Sequence, residues 1–143
     1  MAGLCCVASP SLLDAQVATA GVGVLLTKRS TDPVAEVYVA SPPLWDVRAY
    51  ATFSWTDDDI EPTIISAVDR VSLRSPISFT TAGVGFLWLA PQNHRPYPIV
   101  VSTTVITVPL PRTSIVLIGS TQPFQSWDWS VVAKVAVTVL FMR

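Results

Sequence analysis

The chain has 143 residues, the length of a single domain, and only 13% of them are charged, about half the fraction of an average soluble protein. Half of the residues are hydrophobic, and the mean hydropathy is +0.50. A domain of this size with so apolar a composition is expected to expose apolar surface, which favours an obligate oligomer over a free monomer. Polar residues interrupt every apolar run before the 18 residues that a membrane helix needs, so we expect no membrane-spanning segment and no membrane contact.

The only two cysteines, Cys5 and Cys6, are adjacent and therefore cannot form an ordinary structural disulfide with each other. A fold without disulfides suits a reducing compartment. The segment from Met1 to Leu13 lacks both charge and strand pattern, and we expect residues 1–16 to form an N-terminal arm of a single domain that covers residues 1–143.

Alternating hydrophobicity predicts β-strands through most of the chain. From Val47 to Trp55 every second residue is apolar, which is typical of a half-buried strand. The run from Val131 to Met142 alternates too, but both of its faces are mostly apolar, which favours a central strand. The other predicted strands are Val17 to Thr27, Ala35 to Ala40, Ala67 to Arg74, Val84 to Leu89, Ile99 to Val108 and Thr113 to Ile118.

About eight short strands separated by proline-rich turns predict an all-β fold, a single antiparallel jelly-roll sandwich, with a closed barrel as the main alternative. The only helical turn expected lies between Asp57 and Ile65. The pentapeptide Thr19 to Gly23 recurs as Thr81 to Gly85. A true repeat should extend further, so chance or shared turn chemistry is the interpretation we favour for it.

One acidic cluster offers a candidate metal site, formed by Asp57, Asp58, Asp59 and Glu61. Several carboxylate oxygens brought together suit a hard divalent cation, here at an interface between subunits, although the spacing is not that of an EF-hand. A solvated loop that keeps an apolar protein soluble explains the same residues. We expect no tightly bound cofactor.

Basic residues are scattered along the chain and leave a net charge of −1, so strong autonomous binding of nucleic acid is not expected. Arg70 and Arg74 fall on one face of a regular strand, which makes a local basic spot a candidate contact for nucleic acid. The single histidine, His94, lies in a polar loop that we interpret as exposed or as a subunit contact. The chain contains no nucleotide-binding or nucleophile motif, and an enzyme is not expected.

Five tryptophans are many for this length. Trp55 and Trp88 fall within predicted strands and are expected in the core. Trp127 and Trp129 precede the last strand with both rings on one side, which indicates either packing or the stacking of a ligand, as in a lectin.

The passage from Thr81 to Asn93, a Gly-Val-containing apolar strand with a tryptophan that runs into a loop with proline and asparagine, resembles the jelly-roll coat proteins of tymovirus-like RNA viruses. The Val/Thr strands from Ile99 and the prolines at Pro109 and Pro111 are similar too, and small satellite-virus coats share the architecture. The likeness covers about half the chain and lies in pattern rather than in an invariant motif.

This resemblance implies a capsid protein of which many copies self-assemble into an icosahedral shell around a small RNA genome. It also implies assembly in the host cytoplasm, residence in the virion, weak contact with packaged RNA, and charge balance by polyamines or other small cations. The alternative expectation is a β-sandwich binding module, either lectin-like or a decoration protein of a larger particle, that uses Trp127 and Trp129 or the loop from Asn93 to Tyr97.

Overall fold

A computed structural model of the chain describes residues 16–57, 63–88, 96–123 and 128–142. These residues form eight antiparallel strands. In chain order they are β1 (Gln16–Thr27), β2 (Thr31–Ala40), β3 (Val47–Thr56), β4 (Thr63–Arg74), β5 (Ser78–Trp88), β6 (Tyr97–Thr107), β7 (Thr113–Gln122) and β8 (Asp128–Met142).

Each strand pairs with its neighbours in sequence, and β8 pairs with β1, so the sheet closes into a barrel. The expected all-β fold of antiparallel strands is confirmed, but the strand order is that of an up-and-down barrel rather than of a jelly-roll sandwich. Short turns explain the difference, because they join each strand to an antiparallel neighbour without a crossover. Closure also removes the sheet edges that a sandwich would leave unpaired.

The predicted strands all exist, but several are longer than expected. Strand β2 begins four residues earlier, at Thr31, and β5 begins at Ser78 rather than at Val84. Residues 63–65 of the expected helical turn belong to β4, whereas residues 58–62 lie outside the described residues. The expected N-terminal arm also lies outside them, apart from Gln16, which begins β1.

Three turns share one end of the barrel with the start of β1 and the finish of β8. Because the strands alternate in direction, the turns at residues 41–46, 75–77 and 108–112 lie at the end where β1 begins and β8 finishes. We call this the turn end. The turn at residues 28–30 lies at the opposite end, where β3, β5 and β7 finish and β4, β6 and β8 begin. We call this the loop end.

Alternation along each strand separates an inner from an outer set of side chains. Inside, an apolar cluster that includes Val101, Ile118 and Ala136 fills much of the lumen. Charged and hydroxyl side chains share the lumen with this cluster, and their arrangement defines the candidate site.

Candidate functional site

Two buried ion pairs lie inside the barrel. In the first, the Lys134 ammonium of β8 binds the Glu36 carboxylate of β2, and both side chains are at most 1% exposed. Ser54 Oγ donates a further hydrogen bond to Glu36 Oε2 at 2.7 Å. Strand β1 lies between β8 and β2, with Gly23 opposite Lys134 and Gly21 opposite Glu36. The pair can therefore form across β1, because neither glycine places a side chain between them.

Gly23 lies where the backbones of β1 and β8 approach each other closely. A Cβ atom at this position would lie 2.0 Å from the Ala133 carbonyl oxygen, which is backbone and cannot move aside easily. We expect Gly23→Ala to lower the free energy of unfolding by about 1–3 kcal/mol, as overpacked interiors do. Gly119→Ala is the matched control, since its Cβ would meet only the Ser102 oxygen, at 4.0 Å. Urea unfolding followed by tryptophan fluorescence measures both variants, and equal stabilities would refute the close approach.

The second ion pair joins neighbouring strands on another side of the lumen. Arg48 Nε of β3 lies 3.0 Å from Asp69 Oδ1 of β4, and Arg48 Nη2 lies 3.3 Å from Oδ2. Thr81 Oγ1 donates to Asp69 Oδ2 at 2.5 Å. Opposite Asp69 stands Gly83, the counterpart in the repeated pentapeptide of Gly21. The repeat therefore supplies inward-facing glycines next to a buried charge on both β1 and β5.

An aromatic pair lies between the two ion pairs. The Tyr38 and Tyr50 ring centroids are 5.2 Å apart, and Tyr38 also lies 5.7 Å from Arg48 Cζ and 5.9 Å from Lys134 Nζ. Burial raises the pKa of both tyrosines well above the ordinary value, so their hydroxyls stay protonated. Burial alone would lower the pKa of Arg48, but contacts with Tyr38 and Asp69 raise it overall. The guanidinium remains charged.

These side chains leave little free space around Arg48. A cavity of about 20 Å³ lies in the lumen next to Arg48, Tyr38, Phe79 and Thr103. That volume accommodates about one water molecule and is far below the ~300 Å³ of a small-molecule pocket. The paired charges in the lumen sum to zero. This part of the barrel is therefore a packed and neutral interior rather than a ligand-binding cavity.

The outer surface of the barrel is mostly apolar, in contrast to the lumen with its two ion pairs. Every one of the eight strands carries at least one large apolar side chain that is exposed. These residues are Val22, Val24, Val39, Val47, Val68, Leu73, Val84, Phe86, Trp88, Val100, Ile115, Leu117, Trp129, Val135, Val137 and Val139. Away from the strand ends, Arg70 is the single charged residue on the outer face of the described strands. The barrel thus carries charge inside and an apolar belt outside.

Three tryptophans mark one border of this belt. Trp55 lies near the end of β3, Trp88 ends β5 and Trp129 lies at the start of β8, so all three are at the loop end. Trp88 and Trp129 are exposed. Trp55 pairs with the exposed Ala35 and lies on the same outer face. The expectation that Trp55 and Trp88 lie in the core is wrong, because both lie on the outward side of their strands, in alternation with buried residues such as Thr52 and Leu87.

The acidic candidate site is only partly visible. Asp57 is exposed in the turn that follows β3, while Asp58, Asp59 and Glu61 lie outside the described residues. No group of three or more potential metal ligands occurs among residues 16–57, 63–88, 96–123 and 128–142. His94 and Trp127 likewise lie outside the described residues. A divalent cation at the acidic cluster stays a prediction.

The two arginines proposed to contact RNA do not share a face. Arg70 pairs with the exposed Ala82, whereas Arg74 pairs with the buried Phe79. A register shift between Val71 and Leu73 inserts an extra residue in β4 and reverses the side toward which the following residue points. Arg70 and Arg74 are both exposed, but the strand does not align them as one basic spot.

Sequence reasoning missed the four charges of the lumen. The sequence signal available for them is a single charge, or two neighbouring charges, within an otherwise uncharged strand segment, and it applies to Glu36, Arg48, Asp69 and Lys134.

Across the described residues, no helix has the length and hydropathy needed to cross a membrane. The chain matches no protein-family model and no curated protein.

Proposed function

We propose that this protein is an integral membrane β-barrel whose apolar belt contacts the hydrocarbon core of a lipid bilayer. The observation that carries the proposal is the reversal of polarity: large exposed apolar side chains on all eight strands surround two buried ion pairs. A water-soluble barrel of this size needs the reverse arrangement, because exposed apolar area on every side costs free energy in water. Lipid relieves that cost around the whole circumference.

The dimensions of the strands support the proposal. They contain 10 to 15 residues, and a tilted strand needs about 9–11 residues to cross the hydrocarbon core. On β8 the belt extends from Trp129 to Val139, which at ~3.3 Å per residue and a tilt of ~45° spans about 23 Å. Membrane barrels carry an apolar band of about 25 Å.

Backbone hydrogen bonding supports it as well. Within a bilayer no water is available to unpaired N–H and C=O groups, so a sheet must close on itself. The pairing of β1 with β8 provides this closure. The tryptophans at the loop end fit the same setting, since indole rings favour the level of the lipid headgroups.

The sequence led us to expect no membrane contact, because it has no apolar run of 18 residues, but that criterion applies to helices. A helix needs consecutive apolar residues to cross a bilayer, but a barrel strand needs only every second one, because its other face points into the lumen. We infer a filled barrel that anchors its loops at a membrane surface, rather than an open channel, because Tyr38, Tyr50 and the ion pairs occupy the lumen.

Assembly into a closed shell remains the competing proposal, since neighbouring subunits could also cover apolar surface. A shell subunit needs lateral contacts but also an outer and an inner surface in contact with water. The belt here includes all eight strands, which leaves only the two barrel ends for those surfaces. Lipid therefore fits the observed distribution better. Virion localisation, RNA contact and the lectin-like alternative also stay untested predictions.

Reconstitution tests the membrane proposal directly. We expect the purified chain, refolded with phosphatidylcholine vesicles, to float with them and to resist extraction by ~2 M urea, because its belt is in hydrocarbon. Lipids brominated near the headgroup should quench tryptophan fluorescence more than lipids brominated near the chain terminus, because Trp55, Trp88 and Trp129 border the belt.

Two results would reject the proposal. One is a folded protein that stays monodisperse in buffer and does not float with vesicles. The other is the formation of closed particles without lipid, seen by electron microscopy, which would support the shell instead. Equal quenching by both brominated lipids would leave insertion intact but would refute the placement of the tryptophans.

A further inference from the structure

The cavity beside Arg48 lies in the turn-end half of the lumen. Its lining includes Arg48, Phe79 and Ser114, which are the second residues of β3, β5 and β7 and therefore lie close to the turn end. Tyr38 of β2 and Thr103 of β6 line it as well. Because β2 and β6 are four strands apart in a closed order of eight, these two residues belong to opposite walls of the barrel. The cavity thus lies between hydroxyl-bearing side chains on both sides.

Two residues that line this cavity carry a hydroxyl group without a hydrogen-bond partner among the described residues. These groups are Thr19 Oγ1 of β1 and Tyr38 OH of β2, and their residues are only 4% and 7% exposed. A buried hydroxyl without a partner is unfavourable, because it gives up its hydrogen bonds to solvent on folding and gains none in return. Both groups therefore require a partner that the described protein groups do not supply.

The polar groups around the cavity favour a neutral ligand that both donates and accepts hydrogen bonds. The hydroxyls of Thr19 and Tyr38 can each donate one hydrogen bond and accept others. Arg48 adds N–H donors, but its charge is balanced by Asp69 at 3.0 Å, so no net charge is left beside the cavity to attract an ion. Water has donors and acceptors in equal number and matches this mixed set.

We propose that this cavity binds a single water molecule, held by Thr19 Oγ1 and Tyr38 OH with Arg48 and Thr103 as further partners. The volume of about 20 Å³ exceeds the ~10–15 Å³ that one water needs and leaves no room for an organic ligand. Buried waters make about three hydrogen bonds, which these four residues can supply. The water joins β1 and β2 to β6 across the lumen. The inference does not rest on the membrane proposal, because the site lies inside the barrel whatever surrounds the belt.

Transfer of magnetisation from water to methyl groups tests the site directly. In the folded chain with methyl-labelled threonine, we expect NMR cross-peaks between water and the methyl groups of Thr19 and Thr103, with the sign of a water that rotates with the protein. Thr52 is the internal control, because its hydroxyl is also buried without a partner but does not line the cavity. Its methyl group should give no cross-peak.

Two results of this measurement would overturn the inference. One is the absence of a water cross-peak at Thr19. The other is a cross-peak of equal intensity at Thr52, since exchange of hydroxyl protons with solvent would then explain the signals without a water in the cavity.

A matched pair of valine variants shows whether the signals depend on the cavity. Val105 lines it and Val132 does not, although the two are similarly buried, at 8% and 6% exposed. Val105→Ile adds a methylene group to the wall and should abolish the water cross-peak of Thr19, whereas Val132→Ile adds the same group elsewhere and should leave it unchanged. A cross-peak that persists in Val105→Ile would contradict the proposed position of the water. The measurement on the unsubstituted chain decides the inference even where Val105→Ile does not fold.

An anion in place of water would give a different result. Chloride bound beside Arg48 would make the methyl chemical shifts of Thr19 and Thr103 depend on chloride concentration. We expect these shifts to stay constant when chloride is replaced by sulfate at constant ionic strength. A chloride-dependent shift would identify a bound anion and reject the water. Vesicle flotation measured on the same sample reports on the membrane proposal separately.

Discussion

Replacing Lys134 by methionine is expected to lower the free energy of unfolding by about 3–5 kcal/mol, the largest effect that we predict for one side chain. Methionine has a similar volume but no charge, so the Glu36 carboxylate would remain buried without its cation. Ser54 alone would be left to stabilise it, through the hydrogen bond at 2.7 Å. Because both side chains of the pair are almost completely buried, solvent cannot compensate for the loss.

Two further variants separate the buried charge from the change of side chain. Lys28→Met removes a lysine from an exposed turn and should change stability by no more than about 0.5 kcal/mol. The double variant Glu36→Gln with Lys134→Met removes both charges and should recover part of the loss, because no ion remains unpaired. Urea unfolding followed by tryptophan fluorescence measures all three. A Lys134→Met variant as stable as Lys28→Met would contradict the buried pair.

The strands themselves were predictable because side-chain alternation is a local property. The period of two between Val47 and Trp55 identified β3 almost to the residue. The starts of β2 and β5 were missed where polar or small residues such as Asp32 and Thr80 weaken the contrast between the faces. The closed strand order depends on the pairing of β1 with β8 at opposite ends of the chain, which no local pattern reports.

Which face of a strand points inward was not predictable from one strand alone. On β3 the residues Ala51, Phe53 and Trp55 lie outside, while Arg48 and Tyr50 lie in the lumen. The usual assumption that the apolar face forms the core therefore places Trp55 on the wrong side. The inward charges can be buried only because partners on other strands neutralise them.

The partner of Lys134 is 98 residues away in sequence, so the candidate site could not be assembled from local spacing. The same limitation affects the arginines. Spacing of four places Arg70 and Arg74 on one face of a regular strand, but the register shift after Val71 separates them. A bulge depends on the pairing of β4 with β5 and leaves no clear mark in the sequence of β4 alone.

The second large effect is expected on the outer surface. Val84 lies near the middle of β5, and its neighbours across the sheet, Val68 and Val100, are exposed apolar residues as well. If the belt contacts hydrocarbon, Val84→Arg places a guanidinium near the centre of the bilayer. We expect the variant to lose about 2–4 kcal/mol of stability in phosphatidylcholine vesicles, measured by reversible urea unfolding. The cost arises from the transfer of a charge into a region that contains no water.

Leu73→Arg is the matched control because Leu73 is exposed to a similar extent, 69% against 65% for Val84, but lies next to the turn end of β4. Near the lipid headgroups the same substitution should cost only about 0–1 kcal/mol, since the long side chain can reach water. The dependence on depth is the diagnostic result. In water both exposed positions would tolerate arginine equally, and in a protein shell the cost would follow subunit contacts rather than distance from the belt centre. Equal effects at Val84 and Leu73 would therefore reject contact with lipid.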